Sequence, residues 1–161
     1  MLRVGTVGTS SIMRTIQEAI RLTDGMECRV VYSRTEEQGR AFAAEMGVPE
    51  HCTDYAAMLE RSDLDLIDIA SPNRFHVEQA LAALEHGKHV IVEKPAAVTR
   101  GDVQRLIDAA RANGVYFFEA ITTLFMPQYE ACRLLLPKLG RIEQAHITYA
   151  QYSSRYDAYL R

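Results

Sequence analysis

Charged and polar side chains follow several apolar segments of the sequence at the point where each segment ends. Glu93, Lys94 and Pro95 come directly after the apolar run at 89–92, with no turn residue between them. The other such positions are Ser71, Pro72, Asn73 and His76 after one run and Glu119 after another. Parallel α/β sheets bind ligands at the carboxyl ends of their strands, so these side chains are candidates for a ligand site. On the residues alone, however, a strand that ends in two solvated charges and a proline stop explains 93–95 better than chemistry does.

A glycine-containing loop, residues 4–13 (VGTVGTSSIM), joins the first apolar run to a helix-like segment. A dinucleotide needs close backbone approach and free N–H groups at a helix N-terminus, and such a loop can supply both. Counted from Gly8, Ser10 stands at the second glycine position of G-x-G-x-x-G and Met13 at the third, so the full pattern is absent. The sequence supports two interpretations equally. In one, the loop is a tight turn in which Ser10 or Ser11 caps the helix; in the other, its serines bind a pyrophosphate.

The second apolar run ends at residues 32–35 (YSRT), where an NAD-binding protein often carries an acid for the ribose 2′-hydroxyl. No carboxylate stands at this position. Arg34 could pair with a 2′-phosphate or lie on an adenine ring, and Ser33 could donate to the same phosphate. Alternatively, Arg34 is solvated and Thr35 only caps the next helix, whose first turn would then suit the two glutamates that follow. The missing acid favours NADP over NAD.

Strand-like and helix-like segments alternate along almost the whole sequence. Short buried strands that alternate with amphipathic helices predict a doubly wound α/β fold, with a parallel sheet covered on both faces. The predicted strands are 2–7, 28–32, 64–70, 89–92, 115–118 and 142–152. The predicted helices are a segment around 12–20, the segment from Thr35 to Met46, and residues 55–61, 74–86, 100–113 and 127–137. The predicted helix caps are Thr35 with Gln38 as a capping box, Asp54 and Thr99.

The last predicted strand, 142–152, differs from the others because it is long and alternates polar with apolar residues. A strand of this kind has one solvated face or covers another layer. We therefore expect the architecture to change between residues 120 and 140. The predicted organisation is one domain over 1–120, followed over 121–161 by a linking helix and the first strand of an incomplete α+β domain.

Composition places the chain among ordinary globular proteins and disfavours several classes. Its 161 residues are 48% hydrophobic and 24% charged, with a formal net charge of −3 and no basic block, so nucleic acid is not an expected partner. We see no signal-peptide pattern and no apolar run of membrane-spanning length, and we expect a cytoplasmic protein without a membrane partner. Cys28, Cys52 and Cys132 are far apart and lack metal-ligand spacing, which favours reduced thiols and no metal site.

Taken together, the segments GTVGTSSI, YSRT, SPNRFH and EKP resemble the Gfo/Idh/MocA oxidoreductase family. The resemblance extends from Arg3 to the last predicted strand, and its most specific part is the pairing of SPNxxH with EKP. It implies a Rossmann fold and an enzyme that transfers hydride between NADP(H), or NAD(H), and a hydroxyl-bearing carbon of a sugar, cyclitol or diol. It also implies a second domain, at residues 121–161 and beyond, whose sheet binds substrate and usually forms a homo-oligomer.

The resemblance also implies roles for individual residues. Lys94 would be catalytic, since its ammonium could hold the reacting oxygen and favour its deprotonated form. Glu93 would contact the cofactor ribose or orient the loop, and the peptide before Pro95 is often cis in the family. The other implied cofactor-binding residues are Gly8, Thr9, Ser10, Ser11 and Ile12 for the pyrophosphate, Ser33 and Arg34 for the adenosine end, and Ser71, Pro72, Asn73 and His76 for the nicotinamide side. For His76, a role that only starts a helix is an equal alternative.

The second domain of the family usually carries a D-x-x-x-H-like pair that acts on the substrate hydroxyl, and the sequence has no such pair after residue 120. The only later histidine is His146. We therefore expect a fragment of a longer enzyme, a product of gene truncation or a stand-alone nucleotide-binding protein, with weak cofactor binding and little turnover on its own. A non-catalytic NAD(P)-binding sensor is the alternative function. A domain for S-adenosylmethionine would carry an acid after the second strand, which Ser33 and Arg34 replace.

Overall fold

The computed structural model describes residues 1–150. The chain divides into two compact units, Met1–Ile121 and Thr122–Arg161. The division lies beside the boundary that the sequence predicts at 120 and 121. That the second unit begins a substrate domain stays a prediction. Within residues 1–150, every helix is too short or too polar to span a bilayer.

Six parallel strands form a single sheet in the first unit, in the order β3-β2-β1-β4-β5-β6. The strands are β1 (Leu2–Val7), β2 (Met26–Tyr32), β3 (Glu50–Cys52), β4 (Leu66–Ile69), β5 (His89–Val92) and β6 (Phe117–Glu119). Because parallel strands that are buried on both faces are nearly continuous apolar runs, the sequence reveals most of them directly. The predicted doubly wound parallel sheet is confirmed.

Helices cover both faces of the sheet. They are α1 (Ser11–Leu22), α2 (Glu36–Met46), α3 (Tyr55–Leu59), α4 (His76–Glu85) and α5 (Arg100–Ala112). Val7 of β1 packs in one core with Leu84 of α4 and Leu106 of α5. Val4 of β1 packs in another core with Ile20 of α1. Since side chains three positions apart on a strand point to opposite faces, α1 lies on one side of the sheet and the α4–α5 pair on the other.

The carboxyl ends of the strands meet at one edge of the sheet. Val7 pairs with Tyr32 on one side and with Ile69 on the other. Ile69 in turn pairs with Val92, and Val92 pairs with Glu119. The connections leave these ends in opposite directions on the two sides of the β1–β4 pair, which is where sheets of this type bind ligands.

Two details of the first unit differ from what the sequence analysis gives. The sequence does not predict the edge strand β3, because its three residues include a charged and a polar side chain and give no apolar run. The predicted capping box of Thr35 and Gln38 is wrong, since the Thr35 side chain makes no cap hydrogen bond to α2. Asp54 and Thr99 are N-caps as predicted, and each accepts a hydrogen bond from a backbone N–H of the first turn of its helix.

The described part of the second unit contains one α-helix, α6 (Pro127–Leu135), between short 3₁₀ turns at Thr122–Phe125 and Leu136–Leu139. The predicted helix 127–137 is therefore confirmed over most of its length, and its role as a link between domains stays a prediction. The predicted strand 142–152 is wrong for residues 142–150, which have no strand structure, while 151 and 152 lie outside the described residues. A strand requires hydrogen bonds to a neighbour, and none of the described residues pairs with this segment.

Candidate functional site

A cleft of about 350 Å³ lies at the carboxyl ends of β1, β2 and β4. Its walls come from three connections that follow these strands. The lining residues are 7–10 after β1, 32–34 with Gln38 after β2, and 70–72 with Phe75 and Gln79 after β4. The cleft therefore occupies the position where the order of the sheet reverses.

Gly8 closes the cleft at the end of β1. Its φ angle is +114°, a conformation that side chains disfavour, and a Cβ at this position would lie 2.9 Å from the carbonyl oxygen of Ala70. Its N–H donates to the Tyr32 carbonyl at 3.0 Å. The chain thus passes through a gap between β2 and β4 that only a glycine fits without displacing the backbone.

Helix α1 begins beside this turn with its first N–H groups free of a side-chain cap. Ser10 is the N-cap residue, but its hydroxyl accepts no hydrogen bond from the helix, and the first turn contains no acidic residue. Uncapped N–H groups together with the helix dipole favour an anion at this end. The arrangement fits the phosphate-binding interpretation of the loop better than the interpretation in which serine only caps the helix.

The opposite end of the cleft carries Ser33 and Arg34. Ser33 is buried, and its N–H donates to the Cys52 carbonyl at 3.0 Å, which fixes the end of β2 against β3. The Arg34 side chain is exposed, and among residues 1–150 no carboxylate forms an ion pair with it. Glu36, which the sequence places close by, instead contacts His51 Nε2 at 2.7 Å, and this hydrogen bond lowers the pKa of Glu36. The positive charge of Arg34 is therefore left for a ligand.

Six lining residues are absent from the site that the sequence predicts. They are Val7, Tyr32, Gln38, Ala70, Phe75 and Gln79. Gln79 accepts a hydrogen bond from the Ser71 hydroxyl at 2.6 Å, and the Arg74 guanidinium lies 4.6 Å from the centre of the Phe75 ring. The signal for Phe75 and Gln79 is spacing, because they are four positions apart in the segment predicted to be helical and so lie on one face of that helix. The sequence analysis assigns Gln38 to a capping box with Thr35, which is wrong. Its place in the cleft wall depends instead on how α2 packs.

The loop after β5 follows the strand next to β4, and its residues are outside the lining of the cleft. The Glu93 N–H donates to the Ile69 carbonyl at 2.8 Å, so this loop starts beside the loop that follows β4. The Lys94 side chain is exposed, and the peptide bond between Lys94 and Pro95 is cis, as the family resemblance implies. A carboxylate and an ammonium are thus presented next to the cleft.

The predicted site residues fall into two groups. Those that line the cleft are Gly8, Thr9, Ser10, Ser33, Arg34, Ser71 and Pro72. Those outside the lining are Ser11, Ile12, Asn73, His76, Glu93 and Lys94. His76 is fully buried, with Nδ1 2.9 Å from the Pro95 carbonyl oxygen and Nε2 2.8 Å from the Ser71 carbonyl oxygen. Its ring therefore links two loops and is not presented to the cleft.

Asp68 is a buried carboxyl group inside the sheet, and sequence analysis does not single it out. The residue is 6% exposed, and Oδ1 has no hydrogen-bond partner within residues 1–150. Burial raises the pKa of Asp68 to about 7, and the negative charge of Glu93 contributes to the same shift. Asp68 could have been found from the sequence, because it is a carboxylate inside the predicted buried strand 64–70.

The parallel sheet, the glycine turn and the cleft at the reversal of strand order define a Rossmann-type dinucleotide-binding domain. A sequence profile described as the oxidoreductase family with an NAD-binding Rossmann fold, Gfo/Idh/MocA, matches residues 2–121. The chain belongs to this family.

Individual relatives agree with the family assignment. The chain is 37% identical over 159 residues to scyllo-inositol 2-dehydrogenase (NADP⁺) of Bacillus subtilis, a match that covers 99% of this chain and 48% of the relative. It is 39% identical over 160 residues to an uncharacterised oxidoreductase of Escherichia coli, with 99% and 49% covered. The chain thus spans about half the length of these curated relatives.

A solved structure has the same fold. The crystal structure of a 3-ketoreductase from Actinomadura kijaniata, in complex with NADP and TDP-benzene, superposes with a TM-score of 0.80 at 30% sequence identity. The superposition covers 85% of this chain and 42% of that one.

Proposed function

We propose that the chain is the NADP(H)-binding part of an oxidoreductase that transfers hydride to or from a hydroxyl-bearing carbon of a sugar, cyclitol or diol. The observation that carries the proposal is the cleft. One of its ends is the N-terminus of α1, which no side chain caps, and the other carries the guanidinium of Arg34, which forms no ion pair within residues 1–150. The two ends suit the pyrophosphate and the 2′-phosphate of one dinucleotide. The names of the inositol dehydrogenase and of the NADP-bound 3-ketoreductase support the choice of cofactor. A cytoplasmic location stays a prediction.

The residues of the cleft fit such a cofactor in three respects. Gly8 lets the backbone approach the pyrophosphate, and the N–H groups from Thr9 to Ile12 would bind its oxygens. Arg34 and Ser33 would hold the 2′-phosphate through charge-assisted hydrogen bonds. Ser71, with Asn73 beside it, would contact the sugar on the nicotinamide side.

Lys94 is the residue we propose to act on the substrate. When bound, NADP(H) supplies or accepts the hydride, and the protein must control the charge on the substrate oxygen. An ammonium that donates a hydrogen bond to this oxygen stabilises its deprotonated form and so favours hydride removal from the attached carbon. Glu93, one position earlier, would contact the cofactor ribose or hold the loop.

Replacing Arg34 with alanine is expected to weaken NADPH binding by about 10-fold to 100-fold, the range for a lost hydrogen bond to a charged group. NADH lacks the 2′-phosphate, so its affinity should change by less than about threefold. Dissociation constants for both nucleotides are measured through reduced-nicotinamide fluorescence with the wild-type chain and Arg34→Ala. The matched control is Arg40→Ala, which removes an exposed arginine from α2, the helix that follows Arg34. Equal losses for NADPH and NADH would contradict the 2′-phosphate assignment, and no binding of either by the wild type would contradict the proposed function.

A further inference from the structure

Two side chains hold the peptide that directly follows Lys94 and Pro95. The Pro95 carbonyl oxygen lies 2.9 Å from His76 Nδ1, and the Ala96 N–H donates to Glu119 Oε1 at 2.8 Å. These are the carbonyl and the amide of a single peptide unit. His76 comes from the start of α4 and Glu119 from the end of β6, so residues distant in sequence meet at this unit.

We call the contacts of His76 and Glu119 with the Pro95–Ala96 peptide the clamp, because they hold this peptide from two sides. In a trans peptide the carbonyl and the N–H point in opposite directions within one plane, so the two hydrogen bonds reach it from opposite sides. The plane cannot turn without breaking at least one of them. Ala96 is 4% exposed, which keeps water from replacing the bond to Glu119. The loop that carries Lys94 is therefore fixed at its C-terminal side.

His76 extends the clamp to the wall of the cleft. Nε2 lies 2.8 Å from the carbonyl oxygen of Ser71, a residue that lines the cleft. The ring is fully buried and spans the loops after β4 and β5. Since carbonyl oxygens only accept, the hydrogen bond to Pro95 requires a proton on Nδ1, and a further hydrogen bond to Ser71 requires a proton on Nε2 as well. One side chain thus contacts both the lysine loop and the wall of the cleft.

We propose that His76 and Glu119 are positioning residues that hold Lys94 in place relative to the cofactor cleft. The inference rests on the proposed function in so far as Lys94 acts on a substrate, whereas the clamp is a property of the protein alone. Neither residue is expected to touch the substrate. Their effect is to limit the positions of the loop, because a reacting group that is misplaced by about 1 Å can lose about 100-fold in rate.

The first test uses the chain without ligand and compares Glu119→Ala with Glu119→Gln. Glutamine keeps an oxygen that can accept from the Ala96 N–H, whereas alanine removes it. Glu119→Ala is expected to speed hydrogen exchange of the Ala96 amide at least about tenfold and to lower the ¹⁵N order parameter of Lys94. Glu119→Gln should stay within about threefold of the wild type, and the Ile67 amide in the sheet should be unchanged in both. Unchanged exchange and order in Glu119→Ala would overturn the clamp.

The second test detects the position of the Lys94 side chain relative to the bound cofactor, which a test of folding alone would not report. The chain has three lysines, Lys88, Lys94 and Lys138, so ε-¹³C-lysine labelling gives three NMR signals. Saturation with NADP⁺ is expected to shift the Lys94 signal and to leave Lys88 unchanged. Lys88 donates to the carbonyls of Arg61 and Leu64, which precede β4, so it lies at the edge of the sheet opposite the cleft. Glu119→Ala should at least halve this shift while the dissociation constant of NADP⁺ stays within about threefold, a separation that general destabilisation would not produce.

Two outcomes of the second test are distinguishable from each other. A full Lys94 shift in saturated Glu119→Ala would overturn the positioning role. Failure of the wild type to bind NADP⁺ would instead overturn the proposed function, and the first test would then decide the clamp alone. His76→Ala, which removes both ring nitrogens, is the second variant, and it should loosen Lys94 as Glu119→Ala does. His76→Gln, which retains an amide donor for one carbonyl, should loosen it less.

Discussion

Replacing Asp68 with asparagine is expected to stabilise the protein at pH 8 and to leave its stability almost unchanged at pH 4. Asp68 is buried, and burial raises its pKa to about 7 from the ordinary value of 3.8. The folded protein therefore binds a proton on this group at pH values where the unfolded chain has released it. Its contribution to stability is complete below about pH 4 and is lost as pH rises through 7.

The expected size follows from the shift. A difference of about three pKa units corresponds to at most about 4 kcal/mol of unfolding free energy, since one unit is worth 1.36 kcal/mol. Asparagine carries no charge at any of these pH values, so the variant lacks this part of the pH dependence. Urea unfolding of both proteins at pH 4, 5, 6, 7 and 8 measures the effect as the difference between their free energies of unfolding.

The control for Asp68 is Asp24→Asn, at an exposed position in the turn after α1. This substitution removes one carboxyl without changing a buried group, so it measures the effect of losing a surface charge alone. If the free-energy difference between Asp68→Asn and the wild type followed that of Asp24→Asn at every pH, the expectation for Asp68 would be contradicted.

Replacing Gly8 with alanine is expected to destabilise the fold by about 1–3 kcal/mol and to reduce NADPH affinity at least about tenfold. The added Cβ would lie 2.9 Å from the Ala70 carbonyl oxygen, and a backbone atom of the neighbouring strand cannot move aside as a side chain can. The turn must shift instead, which displaces the N–H groups of α1 from the cleft. Urea unfolding and NADPH titration measure the two effects separately.

Gly87→Ala is the matched control for Gly8→Ala. Gly87 also has a positive φ, +70°, but a Cβ at that position would have no heavy atom within 4 Å. Alanine there should cost about 1 kcal/mol of stability through conformation alone and leave NADPH affinity unchanged. Wild-type NADPH affinity in Gly8→Ala would mean that the turn does not approach the cofactor.

The fold was predictable because most of its buried strands correspond to apolar runs in the sequence. Segments such as 90–92 are covered on both faces, so their residues are uniformly apolar and easy to recognise. The edge strand β3 has only one neighbour and three residues, two of them polar or charged, and gives no comparable pattern. Its pairing with β2 depends on the position of α2, which sequence periodicity does not specify.

The site was predictable where it depends on local chemistry and not where it depends on packing. Gly8, Ser33 and Arg34 stand at the ends of predicted strands, so the edge of the sheet brings them together. The place of Gln79 in the cleft wall depends on the rotation of α4 about its axis. The burial of the His76 ring depends on two loops that approach it from separate strands.

The cleft is built from separate connections at its two ends, residues 7–10 after β1 and residues 32–38 after β2. Each connection begins at its own strand end and leads into its own helix. An exchange of the short segment 33–38 is therefore expected to change which nucleotide is preferred without altering the turn after β1, where we propose that the phosphates bind. In evolution, or by design, cofactor preference in this architecture can change by replacing one module while the rest of the domain is inherited unchanged.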